Sequence, residues 1–244
     1  MKTIFRFSVI ILACYVLVSS RMPVTFMDYI ENSDFSLNQF GESISQLFKR
    51  NSGETNSSST FKVDYHRYDQ ETNEYFNEIA LKSEFNTSIK KTPSRWTTDM
   101  KIYYFGYCPE YMTDELRHIL TELNDLIDPI QISIVSKRSD ANFIIYLGSQ
   151  DGFKQNFPDV DAKLLERNWG LFQTYSNGGE MYVDMIRTKE DLEAQKHLLR
   201  EELTQSLGLC NDSWKYDNSI FYQGWTTTTE FSEMDKRLID LLYN

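Results

Sequence analysis

From residue 100 onward the apolar positions of this chain repeat at two periods, and the period alternates along the sequence. KIYYFGY (101–107), QISIV (131–135), ANFIIYL (141–147), LFQTY (171–175) and EMYVDMI (180–186) are short runs rich in β-branched and aromatic residues. Each predicts a strand. The turn Asn177-Gly178-Gly179 between the last two predicts a hairpin. TDELRHILTELNDLI (113–127) changes to helical spacing, with Leu116, Ile119, Leu120 and Leu123 on one face and Thr113 as N-cap. A short helix is expected around Ala162 to Arg167. KEDLEAQKHLLREELTQSLGLCN (189–211) predicts one long helix, stopped by Gly208. SEMDKRLIDLLYN (232–244) predicts a final helix with Ser232 as N-cap, Asp235 in the first turn, and Leu238, Leu241, Leu242 and Tyr243 facing the core.

Upstream the pattern is looser. Residues 21–50 carry a partial apolar helical face, and NSGETNSSST (51–60) reads as a polar linker. FKVDYHRY (61–68) predicts a strand. ETNEYFNEIALKSEF (71–85) predicts a helix on Tyr75, Phe76, Ile79 and Ala80. KKTPSRW (90–96) is a turn, because Pro93 biases Thr92 away from helix.

The first residues, MKTIFRFSVIILACYVLVSS (1–20), have a basic start, an apolar run and a small-residue end, the layout of a secretory signal peptide. Val18 and Ser20 suit cleavage before Arg21. Ile11-Leu12-Ala13-Cys14 also has the form of a bacterial lipobox, which would place a lipid anchor on Cys14. Either route exports the folded part to the periplasm, cell envelope or medium. The expected organisation is a leader (1–20), an extension and linker (21–60), and one domain (61–244), with no membrane span in the mature chain.

Charge narrows the partners. The chain has 25 Lys+Arg against 36 Asp+Glu, and losing Lys2 and Arg6 with the leader takes the net charge from −11 to −13. Nucleic acid and anionic membrane both require basic surface, so neither is expected. Only Cys108 and Cys210 remain after cleavage. An exported compartment permits a disulfide between them, and two free thiols are the alternative.

The chemistry sits on the long helix. Advancing roughly 100° per residue places Leu198, Leu199, Leu203, Ser206 and Leu207 on one arc, with Glu202 inside it. His197, Glu201 and Gln205 follow at i, i+4, i+8 along the edge, where a histidine is expected to be exposed. A carboxylate on a core-facing arc is costly unless paired, protonated or bound, so Glu202 is either a satisfied structural group or a working one.

The run E-E-L-T-Q-S-L-G-L-C-N has the spacing of the metzincin zinc-peptidase signature H-E-x-x-H-x-x-G-x-x-H. In that resemblance Glu202 stands on the general-base glutamate and Gly208 on the glycine. Glu201, Gln205 and Asn211 replace the three histidine ligands. Phe221, followed by Tyr222, stands in the place of the methionine turn, and the chain's ending resembles the last helix of matrixin-type metzincins. A closer resemblance is to uncharacterised bacterial exported proteins, a domain of unknown function with an E-E-x-x-Q-x-L-G-L helix, an N-D-S-x(5)-S-I-F segment and a closing D-x(6)-L-Y. These fall on Asn211 to Phe221 and on Asp235 to Tyr243.

The resemblance implies an α/β (α+β) fold: a metzincin-like mixed twisted sheet with an active-site-type helix and a C-terminal helix. It implies a cleft for a peptide or protein segment. It does not imply conventional zinc chemistry, since a Gln or Asn carbonyl is a much poorer zinc donor than imidazole. The expected role is an exported binding or scaffold domain; the alternative is a hydrolase that uses Glu202 with an unconventional metal.

Overall fold

The computed structural model describes residues 61–82, 90, 92–176 and 178–244. The leader, the 21–50 extension and the 51–60 linker expected from the sequence lie outside the described residues. Lys62–Asn244 form one compact unit.

In chain order the described elements are α1 (Gln70–Leu81), β1 (Met100–Gly106), α2 (Glu110–Leu126), β2 (Ile132–Ile134), a 3-10 turn (Arg138–Asp140), β3 (Phe143–Gly148), α3 (Gln150–Asn156), α4 (Ala162–Arg167), β4 (Gly170–Tyr175), β5 (Gly178–Asp184), α5 (Leu192–Ser206) and α6 (Glu233–Tyr243). The strands form one sheet in the order β2-β1-β3-β5-β4. The β1–β2, β1–β3 and β3–β5 pairs are parallel, and only β4 runs antiparallel, against β5. The α/β class expected from the alternating periods is the class observed.

Alternation along the strands feeds two cores. Met181 and Val183 of β5 face the main core with Ile102, Phe143, Ile145 and the apolar faces of α1, α2, α5 and α6. Tyr182, between them, faces a smaller core with Phe153, Val160, Leu165 and Leu171. The period of two thus divides the sheet between its two helical coverings.

Local chemistry explains where the elements begin and end. Asp191 caps α5 by accepting from the Ala194 N–H at 3.0 Å. Past its end Gly208 has φ +128°, and an added Cβ there would run into the Ser94 carbonyl, so only glycine fits. Ser232 and Asp235 form a reciprocal capping box on α6.

Two expectations are corrected, and one element is added. Residues 61–68 form no strand: 61–64 are irregular and the chain turns and bends over 65–68, where the Asp64 carboxylate accepts from the His66 N–H at 3.1 Å. The helix expected from Thr113 begins at Glu110; Pro109 occupies the cap, and the Thr113 hydroxyl bonds back to the Glu110 carbonyl. The extra helix α3, capped by Ser149, gives little sequence signal because Gly152 interrupts it and only Phe153 is buried.

Cys108 and Cys210 are both free. Tyr107, next to Cys108, bonds to Leu147 at the C-terminal end of β3. Cys210 lines a cavity with Asn142 and Gly178, at the start of β3 and β5. The thiols therefore stand at opposite ends of six-residue β3, about 20 Å apart at ~3.3 Å per residue, far beyond disulfide reach.

One buried ion cluster joins α5 to α2. Arg200, fully buried, pairs with Glu115 at 2.9 Å and with Glu122, and its guanidinium stands 4.6 Å from the centre of the Phe231 ring. Glu115 and Glu122 are seven residues apart, two turns of α2, so both lie on the stripe that meets α5.

Candidate functional site

A cleft of about 370 Å³ opens where α5 passes under the edge of the sheet. Its floor is the polar edge of α5: His197, Glu201, Glu202 and Gln205. Gly170, Leu171 and Phe172 of β4 form one wall, and Tyr222, Gly224 and Trp225 of the loop before α6 line another. The i, i+4, i+8 row read from the sequence therefore faces a cavity.

Glu202 is only 8% exposed and sits against Gly170. A Cβ built on Gly170 would lie 2.7 Å from the Glu202 Cγ, closer than side chains tolerate. The missing side chain on β4 is what lets the carboxylate occupy the junction of helix and strand.

His197 is buried, at 5% exposure, where the sequence pattern suggested an exposed position. The loop carrying Thr228 folds over this edge of α5, and His197 Nδ1 lies 2.7 Å from the Thr228 carbonyl. That contact requires a proton on Nδ1. Nε2 lies 3.3 Å from the Glu201 carboxylate, which also requires a donor, so the ring fits this site as imidazolium. Burial works against the charge, but the hydrogen bond and negative charge of Glu201, with the Thr228 carbonyl, outweigh it and raise the imidazole pKa above its ordinary value.

Gln205 donates to the Asp212 carboxylate at 2.5 Å. Asp212, not Asn211, is the residue after the helix that reaches the cleft. Asn211 instead bonds to the Asp212 carbonyl at 2.7 Å. The cause lies one residue on: Ser213 is pinned by backbone bonds to Phe221 and Gln223, and successive side chains of extended backbone point opposite ways.

The remaining motif residues support the site from behind. Phe221 is fully buried in the main core, while Tyr222 lines the cleft. Asp235 accepts from the Ser219 hydroxyl at 2.5 Å and the Ile220 N–H at 3.2 Å, which ties that turn to the start of α6. Burial raises the Asp235 pKa against these bonds. The Tyr243 hydroxyl donates to the Leu207 carbonyl at 2.9 Å and accepts from the Trp96 N–H at 3.2 Å, completing the end of α5.

The three ligand positions do not fit zinc. Glu201 is engaged by His197, Gln205 turns its amide nitrogen to Asp212, and Asn211 bonds to backbone. Among the described residues, no three His, Cys, Asp or Glu side chains gather closely enough to hold a metal ion.

Residues 69–244, from the cap of α1 through α6, match the model of a family described as protein of unknown function (DUF2927). The chain belongs to the DUF2927 family. Among curated proteins, none matches it. Every residue of the cleft lies inside the DUF2927 match, so the cleft is part of the shared domain. Among its described residues, no helix is long and apolar enough to cross a membrane.

Proposed function

We propose that this DUF2927 protein is an exported binding domain whose cleft holds an extended peptide segment in the manner of a metallopeptidase fold, without that fold's zinc chemistry. One observation carries the reading. The single antiparallel strand, β4, is the edge of the sheet, and it borders the cleft directly above the helix that bears Glu202. Among the described residues no strand pairs with the outer side of β4. An edge strand beside a polar cleft is the arrangement that accepts a guest chain by strand addition: the main chain supplies affinity and the cleft reads side chains. The metzincin spacing on α5 and the Ser219–Phe221 turn beneath it support the same reading. Export rests on the three-part pattern of residues 1–20.

Hydrogen exchange tests the proposal. A peptide selected by the full-length protein from a random display library should slow exchange at the amides of Gly170–Tyr175. Binding with no protection in β4 would overturn strand addition. The mass of the exported protein's N-terminus tests the leader, with Arg21 or a lipidated Cys14 expected at the start; an intact Met1 would count against both.

A second reading, hydrolysis of the bound peptide, is favoured by one feature. Glu202 borders the cleft as a largely buried carboxylate, the position of a general base. Mass spectrometry of peptides incubated with wild type and Glu202→Gln decides it. Cleavage by wild type alone would establish the hydrolase.

A further inference from the structure

The rim of this cleft carries two pairs of aromatic rings, each pair set close to a right angle. Trp169 and Trp225 both line the cleft, and their rings meet edge to face at 76° with centroids 5.0 Å apart. Tyr222 of the same cleft meets Trp214 at 87° and 5.7 Å. Trp225 is 61% exposed and Trp214 is 67% exposed. The chain has 4 tryptophans, so all but Trp96 gather here. Exposed aromatic surface concentrated beside a cavity marks a place where something binds.

The rings are braced before any guest arrives. Arg187 stands 5.7 Å from the centre of the Trp169 ring and backs it on one side. The same guanidinium pairs with buried Asp184 and donates to the Glu166 carbonyl at 3.1 Å and to the Asn168 carbonyl. It thereby fixes the turn from α4 into β4 that presents Trp169. On the other wall Gly224 precedes Trp225. A Cβ on Gly224 would run into the Tyr222 ring and lie 3.2 Å from that of Trp214, so bare backbone at this point lets both rings lie against the loop. Rings fixed in this way lose little freedom on binding, which keeps the entropic cost of a guest low.

The Trp169–Trp225 pair also stands at one end of β4, beside which no described strand lies. The Asp184 N–H donates to the Trp169 carbonyl at 2.7 Å, which carries the β4–β5 ladder one residue beyond Gly170. A chain added along β4 therefore ends its run beside these two indoles. Two rings at a right angle form a corner. A third flat ring fits it by stacking on one and turning its edge to the face of the other, both favoured aromatic arrangements. A sugar ring lies flat on a single platform and leaves the second wall of the corner unmatched. We infer that the cleft selects a peptide with an aromatic side chain, seated in the Trp169–Trp225 corner at the Gly170 end of β4. The inference rests on the peptide reading and adds the chemistry of the guest.

A random peptide display library selected on the full-length protein supplies the probe, and the binders should share an aromatic residue at one position. A selected peptide is then made with phenylalanine or with cyclohexylalanine at that position. The two side chains have the same carbon skeleton, and only the first has a π face. By calorimetry the phenylalanine peptide should bind about three- to tenfold more tightly. Trp225→Leu keeps apolar bulk and should abolish that preference, while Trp225→Phe, which keeps a ring, should retain part of it. Trp225 is exposed, so both variants should melt with wild type. Binders without a shared aromatic residue would overturn the inference and leave peptide binding standing. So would equal affinity for the two peptides, or a preference that survives Trp225→Leu. A library that yields no binder would sink both readings. Quenching of the tryptophans by a neutral hexasaccharide in that case would assign the corner to a sugar.

Discussion

Gly170→Ala is the sharpest probe of how the cleft floor is built. The substitution places a methyl group 2.7 Å from the Glu202 Cγ and 2.9 Å from its Cδ. Contacts this short do not persist, so either β4 moves from α5 or the Glu202 side chain swings into the cleft. Forcing a methyl into a filled site costs about 1–3 kcal/mol. Against this, alanine stiffens the unfolded chain and returns about 0.4–1 kcal/mol. The expected net loss is about 1–2 kcal/mol, a fall of roughly 2–8 °C in melting temperature for a domain of this size. Urea titration should show a lower midpoint at unchanged slope, since the native contacts change and the surface exposed on unfolding does not. The cause is isolated by a double-mutant cycle. Glu202→Ala removes the atoms that the new methyl strikes, so Gly170→Ala should cost about 1 kcal/mol less in that background than in wild type. A Gly170→Ala protein as stable as wild type, or a cost that persists after Glu202→Ala, would refute the account of glycine as the space Glu202 occupies.

Other consequences can be measured separately. Arg200→Met leaves Glu115 and Glu122 facing each other across a partly buried site and should destabilise by about 3–5 kcal/mol, read from the same urea titrations; a loss under 1 kcal/mol would make the cluster a surface pair in effect. The raised pKa of His197 means that its pair with Glu201 stabilises fully below about pH 6.5, the ordinary histidine value, and loses that contribution as pH rises through the folded-state pKa. The stability gap between wild type and His197→Gln should therefore shrink from pH 6 to pH 9, and a constant gap would remove the charged pair. Alkylation of the unfolded protein without reductant should label both Cys108 and Cys210; a mass lower by two protons on that pair would show a bridge. Zinc should leave the purified protein on dialysis, and stoichiometric metal that survives it would point to donors other than Glu201, Gln205 and Asn211.

The parts of this fold written in local periodicity were legible in the sequence. The strands from Met100 to Asp184, and α5 and α6, follow spacing that the sheet and core then satisfy. The capping box on Ser232 needs only its own turn to form, so the local sequence marks Ser232 as the cap. What escaped depends on segments returning from elsewhere. His197 is buried because the Thr228 loop closes over it, and no pattern within α5 contains that loop. Asp212 displaces Asn211 because Ser213 pairs with a segment eight residues further on. The Arg200 cluster left a faint signal, two glutamates seven residues apart on α2, but their partner lies on another helix. The strand expected over 61–68 failed for the opposite reason, since Asp64 supplied a local turn that no sheet neighbour contested.

Among the described residues no strand covers the outer edge of β4, and an edge open in this way has a cost in solubility. A strand that will accept a guest's backbone will accept any backbone, including that of another copy, and the row of unpaired donors and acceptors cannot distinguish them. Its length of six residues limits the hazard, and a net charge of −11 keeps copies apart at low salt. Both protections weaken at high concentration and high ionic strength, where the empty protein should aggregate first through this edge. A bound peptide then acts as a molecular bung: it covers the edge, and a saturated preparation should stay in solution under conditions that precipitate the empty one.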